Sequence, residues 1–124
     1  MLPRESRMRR PEDFRLVMRT GRRAGGPALA AHFLSTPGGV RAGEPAKVGF
    51  VVSRAVGSAV VRNQVKRRLR ELMRRRLASL PEGCMLVVRV HPAAASARQA
   101  DLAADLDLVI GRLLRRQVGA LRQE

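Results

Sequence analysis

Aromatic side chains are nearly absent from this 124-residue chain: there are three Phe and neither Tyr nor Trp. Any core must therefore be filled by Leu, Val and Ala, which the 45% apolar content allows. Cysteine occurs once, at Cys84. A single thiol excludes an internal disulfide framework and a cysteine-based zinc cluster, and it fits a reducing compartment. Histidine occurs only at His32 and His91, with no HxH or HExxH spacing. No apolar run approaches the ~18 residues of a membrane span. The Arg-rich N-terminus lacks the apolar stretch of a secretory signal, and Glu5, Glu12 and Asp13 argue against a transit peptide. Acid is scarce as well: 10 Asp and Glu face 25 Lys and Arg, a formal charge of +15.

A compact body with that charge repels itself unless a polyanion neutralises it. Nucleic acid is the first candidate and an anionic membrane surface the second. Only Lys47 and Lys66 are lysines; the other basic residues are arginines. Guanidinium presents a planar fork to phosphate and a flat face to bases. A general bias toward Arg codons would leave the same composition.

The length suits one domain, residues 1–124, with residues 1–10 as a mobile basic arm. Pro11 at a helix start, acids in its first turn, and Phe14, Val17 and Met18 at helical spacing predict a helix from Pro11 to about Arg19, ended by Gly21. The Gly-rich stretch after it reads as loop or irregular edge, and "ALAAHFLS" as a strand. Ala46 to Ser53 alternates Val48, Phe50, Val52 with Lys47, Gly49, Val51, the period of a strand. Ser58 is a candidate N-cap for a long helix reaching about Ser79, where Pro81 and Gly83 stop it. "CMLVVRV" reads as a buried central strand. Ser96 and Gln99 resemble a capping box before a last helix with an apolar face of Leu102, Leu106, Val109, Ile110, Leu113 and Leu114. A strand–helix–strand order of this kind predicts parallel strands and helices packed on a sheet.

The long helix sorts its charge. At about 100° per residue, Val61, Val65, Leu69 and Leu72 fall in an arc of roughly 80°. Arg62, Asn63, Lys66, Arg67, Arg70 and Arg74 fall in an adjacent arc of roughly 140°. Arg68 and Arg75 lie on the other flank. A basic side next to the buried stripe can wall a groove floored by the sheet. Between Ser58 and Arg76 eight basic residues face one acid, Glu71. Like charges at i,i+4 destabilise the helix, and phosphates along the groove would offset this. Asn63 is a poor helix former that can hydrogen-bond a phosphate, ribose or base. The backbone N–H of Gly57 could meet a phosphate at the helix start. Asp101 and Asp105, at i,i+4, suit the positive end of the last helix better than they suit a metal. No triad, Walker loop or dinucleotide fingerprint is present. The chain therefore shows no catalytic residues and no metal ligands of its own.

The stretches "RMRRPEDFRLVMRTGRR", "KVGFVVSRAVGSAVVRNQVKRRLRE" and "CMLVVRVHPAAA" resemble the protein subunit of bacterial ribonuclease P across nearly the whole chain. The strongest part runs from Val48 to Glu71. The resemblance implies an α+β fold: a small two-layer α/β sandwich with a mixed sheet of about four strands and a left-handed β-α-β crossover, which ordinary handedness statistics would not suggest. It also implies a subunit of an endoribonuclease whose active site and Mg2+ reside mainly in a catalytic RNA subunit. The partners implied are that RNA and precursor tRNA, in the cytoplasm, with no membrane and no small-molecule substrate. By resemblance, Arg54, Gly57, Arg62, Asn63, Lys66, Arg67, Arg70 and Arg74 meet RNA. Phe14, Met18 and His32 line a cleft for the single-stranded 5′ leader. The family's Arg-Asn-Arg signature is kept at Arg62 and Asn63 and departs at Gln64. Ala55 replaces a frequent Lys. Met18 and His32 stand where Phe and Tyr are frequent. Without the resemblance, a general single-strand RNA-binding protein of this fold, or a DNA-binding regulator, would answer to the same charge pattern.

Overall fold

The computed structural model describes residues 2–35 and 44–123, with side chains through Arg115. Four strands form one mixed sheet: β1 (Arg22–Gly25), β2 (Leu29–Leu34), β3 (Lys47–Val52) and β4 (Met85–Val90). Their order is β1-β2-β4-β3. The apolar run of β4 sits inside, antiparallel to β2 and parallel to β3. The helix α2 (Ala59–Arg74) joins β3 to β4, as a parallel pair requires. The Gly-rich stretch read as loop or irregular edge contributes β1, a short edge strand antiparallel to β2.

Alternation assigns the two faces. Leu29, Ala31, Phe33, Val48, Leu86 and Val88 join the main core with Val65, Leu69 and Met73 of α2. Leu102, Leu106, Val109 and Leu113 of α3 (Gln99–Gln123) complete it. Each such fully buried side chain contributes about 1.5–3 kcal/mol. The opposite face carries a smaller cluster: Met8, Val17, Met85 and Val87, with Phe14 and Met18 partly buried against it. Val17, Phe14 and Met18 belong to α1 (Pro11–Thr20), so α1 lies on the face away from α2 and α3. The register His32–Val87–Gly49 runs a row of residues across that α1 face.

Several local expectations change. Gly21 ends α1 with φ −74°, an ordinary conformation. Its lack of a side chain matters because a Cβ would sit 2.5 Å from the Val17 carbonyl oxygen and 2.9 Å from that of Phe33. The α2 helix stops at Arg74, earlier than Ser79, and a separate turn of 3-10 helix covers Leu77–Ser79. The capping box at Ser96 does not form. Ser96 closes a 3-10 turn (Pro92–Ser96), and Gln99 pairs with Arg68 instead, which donates to Gln99 Oε1 at 2.8 Å. Ser58 does cap α2, accepting from the Val61 amide at 3.3 Å. Cys84 is a buried small hydrophobe, and burial pushes its thiol up to about 12.

The largest difference is at the start of the chain. The arm expected to be mobile is docked along the exposed edge of β3. Leu2 is 3% exposed and Met8 7%. The Met8 amide donates to the Val48 carbonyl at 3.0 Å, and Arg7 bridges Val48 in parallel. The apolar Leu2 and Met8 gain burial, and the Val48 carbonyl on a free edge gains a donor. Residues 36–43, between β2 and β3, lie outside the described residues.

Candidate RNA interface

Helix α2 carries its basic residues on two flanks with different surroundings. On one flank they are tied to the protein. Arg68 donates to the Ala97 carbonyl at 2.6 Å and to Gln99, fastening α2 to the start of α3. Arg76, just past the helix, donates to Asp107 at 2.6 Å and to the Leu72 carbonyl at 2.7 Å. On the other flank Asn63, Arg67 and Arg70 are exposed, and Arg62 and Lys66 are half-buried. Arg62 Nε is buried with no hydrogen-bond partner among the described residues. Arg74 departs from this group: it pairs with Glu71 at 2.8 Å. That exposed pair is worth little, but it offsets part of the Arg74 charge.

Two residues of this flank, Lys66 and Arg70, face a groove, which Arg62, Asn63 and Arg67 do not line. Lys66 and Arg70 of α2 line it with Val48, Gly49 and Phe50 of β3, and Phe14 of α1 reaches it from the other face of the sheet. The volume is about 310 Å³. Gly49 makes the meeting possible. A Cβ there would stand 2.4 Å from the Phe14 ring, so only glycine lets the ring lie against the strand. The expected groove with a basic wall and a sheet floor is thus present, although it wraps the β3 edge. Its far wall was not anticipated: Arg7, Met8 and Arg9 of the docked N-terminal segment. The apolar spacing of Leu2 and Met8 is the only sequence signal for that docking.

Arg54 is exposed on the 3-10 turn Arg54–Val56 that precedes α2. Gly57 follows it at φ 155°, a backbone region in which residues with a side chain are strained. The Gly57 amide donates to the Arg54 carbonyl at 3.2 Å. It is therefore committed to the turn and not offered to a phosphate. The role of Gly57 is conformational: it lets the chain reverse from β3 into the cap of α2.

Phe14, Met18 and His32 share the α1 face. Phe14 and Met18 are partly open, whereas His32 is 6% exposed. The imidazole is enclosed, with Nε2 lacking a hydrogen-bond partner among the described residues, and presents no open ring for stacking. Burial, then the charges of Arg89 and Arg23, hold its pKa below the ordinary 6.5. The sign follows from proton binding. The unfolded chain takes up the proton more readily, so stability is full above 6.5 and falls as pH drops through the lower folded-state value. Urea midpoints measured at about pH 7.5 and about pH 5.5 should show this loss, and His32→Gln should reduce it. Equal losses in both proteins would assign the acid sensitivity elsewhere.

Asp101 and Asp105 do not form a metal site. Asp105 is 5% exposed, and its Oδ2 accepts from the Ala28 and Leu29 amides, both at 2.9 Å. Asp101 pairs with Arg98 at 3.3 Å. Among the described residues no three His, Cys, Asp or Glu side chains gather as a metal would require. No described helix is long and apolar enough to cross a membrane.

A small α+β domain with a cationic groove at a sheet edge, lined also by phenyl rings, has the design of an RNA-binding module. Comparison with known proteins makes this specific. The family model described as Ribonuclease P matches residues 2–114. A ribonuclease P protein component from Streptomyces avermitilis is 54% identical over 120 residues, covering 92% of this chain and 96% of that protein. One from Nocardioides sp. is 52% identical over 113 residues, covering 91% and 95%. The ribonuclease P protein of Staphylococcus aureus superposes with a TM-score of 0.73 at 20% identity, over 86% of this chain and 93% of that one. That of Thermotoga maritima gives 0.69 at 25% identity, over 88% and 96%. The chain belongs to the ribonuclease P protein family, and so to the protein subunits of the endoribonuclease that processes tRNA 5′ ends.

Proposed function

We propose that this subunit clamps two RNAs together: the catalytic RNA of ribonuclease P and the 5′ leader of precursor tRNA. The observation that carries the reading is the groove that Lys66 and Arg70 share with Phe14. Arg54, Arg62, Asn63, Lys66, Arg67 and Arg70 meet the phosphates of the catalytic RNA, with Arg74 a weaker contributor because of Glu71. Phe14 and Met18 receive leader bases, and His32 lies beneath them as a buried polar group. The chemistry of strand scission, with its Mg2+, belongs to the RNA, and the site of action is the cytoplasm.

The contribution of the protein is electrostatic. Catalytic RNA and substrate are both polyanions that repel at close approach. A body of net charge +15 between them lowers that repulsion and releases counterions. Less magnesium is then needed to bring the substrate to the active site. The test is precursor tRNA cleavage by the RNA subunit at low magnesium, with and without the protein. The protein should raise the rate about tenfold or more, and the gain should fade as magnesium or salt rises. A general single-strand RNA-binding protein would leave the rate unchanged, and that outcome would refute the proposal.

A further inference from the structure

The N-terminal segment has a charge that the α2 interface does not account for. Arg7 and Arg9 wall the groove opposite Lys66 and Arg70. The same two arginines continue into a second cleft of about 210 Å³, where Arg4, Arg10 and Lys47 join them. One carboxylate, Asp13, faces these five cations. The two clefts are thus one cationic track that passes along the β3 edge and around the start of α1. Arg7 helps hold the segment, its Nε donating to the Leu2 carbonyl at 3.0 Å, whereas Arg4 and Arg10 are exposed and add repulsion to a segment whose apolar docking is done by Leu2 and Met8.

We propose that residues 4–10 form a second phosphate clamp, and that its occupant is the upstream, single-stranded part of the 5′ leader. The inference rests on the reading that the α1 cleft receives the leader. Two features favour a single strand. Phe14 and Phe50 line the shared groove, and phenyl rings stack on bases that are not already paired. The track also begins at Phe14 itself, so a strand leaving the cleft meets Arg7 and Arg9 next. The segment is held by an apolar anchor at each end, Leu2 and Met8, and one backbone hydrogen bond to Val48. The guanidinium groups between and beyond those anchors are therefore presented in a preset array and do not have to be ordered on binding.

The variant R4A/R10A tests this, since both side chains are exposed, neither lines the groove shared with Lys66 and Arg70, and the Leu2 and Met8 anchors stay. The assay uses the reconstituted holoenzyme with precursor tRNAs carrying a leader of about two nucleotides or about ten. Affinity for the long-leader substrate should fall about tenfold, and its salt slope by about 0.7 per lost contact, while short-leader binding and the affinity of protein for the RNA subunit stay constant. An unchanged thermal midpoint shows that folding is intact. Equal loss on both substrates, or weakened assembly with the RNA subunit, overturns the proposal by assigning the arginines to the catalytic RNA. So does no loss at all. If the unmodified holoenzyme binds both substrates alike, the leader reading itself fails, a result distinguishable from failure of the clamp alone.

Discussion

Replacing Lys66 and Arg70 together by Glu should weaken binding of the RNA subunit by roughly 10²–10³-fold at moderate salt. The two cations face one groove, and reversal both deletes two charge-assisted contacts and puts two repulsive charges on the RNA path. The slope of log affinity against log salt should become shallower by about 0.7–0.9 for each lost phosphate. The matched control is Arg75→Glu with Arg115→Glu, which changes net charge by the same amount at exposed positions that do not line the groove. That pair should cost less than about fivefold, because exposed charges beyond a Debye length are screened. Filter binding across a salt series measures both. Equal loss in the two variants would mean that net charge alone drives binding, and that the sorting of α2 into two flanks has no functional content.

The second large effect concerns folding. Asp105→Ala should destabilise the domain by about 3–5 kcal/mol, because two buried amides, of Ala28 and Leu29, lose their one acceptor. For a domain of this size that is a fall of roughly 10–20 °C in the thermal midpoint. Asp105→Asn should lose much less, since both amides bond the same carboxylate oxygen and the amide oxygen of Asn can occupy that position. Calorimetry of the two variants decides it. Comparable losses would show that the negative charge, and not the acceptor geometry, holds the β1–β2 turn on α3.

Asp105 also marks where reading along the chain stops. Its place in the first turns of α3 already accounts for an acid, so nothing local suggests a partner 77 residues away at Ala28. Arg68 is the opposite case. Its angle on the α2 wheel excludes it from the basic flank, and it is found fastened to Ala97 and Gln99. The α1 helix, the alternation in β3, the Ser58 cap and the apolar run of β4 were legible because each depends on neighbours within a few positions. The end of α2 was not, since no proline or glycine stands at Arg74; the helix gives way to a 3-10 turn there. His32 has a type suited to the cleft, but its burial depends on what α1, Arg23 and Arg89 place around it.

By itself the sequence determined the charge, the order of the main helices and the strands β2 to β4, the absence of Tyr and Trp and the sorting of α2 into apolar and basic arcs. These follow from composition and from periodicities of two and 3.6 residues, which are properties of a short stretch of backbone. Only the tertiary structure decided that residues 2–8 dock on β3, that Gly49 makes a seat for Phe14, and that the basic groove has a second wall. Those outcomes depend on which strand edge is left exposed and which side chains meet across it. Such contacts join residues far apart in the chain, and no local spacing encodes them.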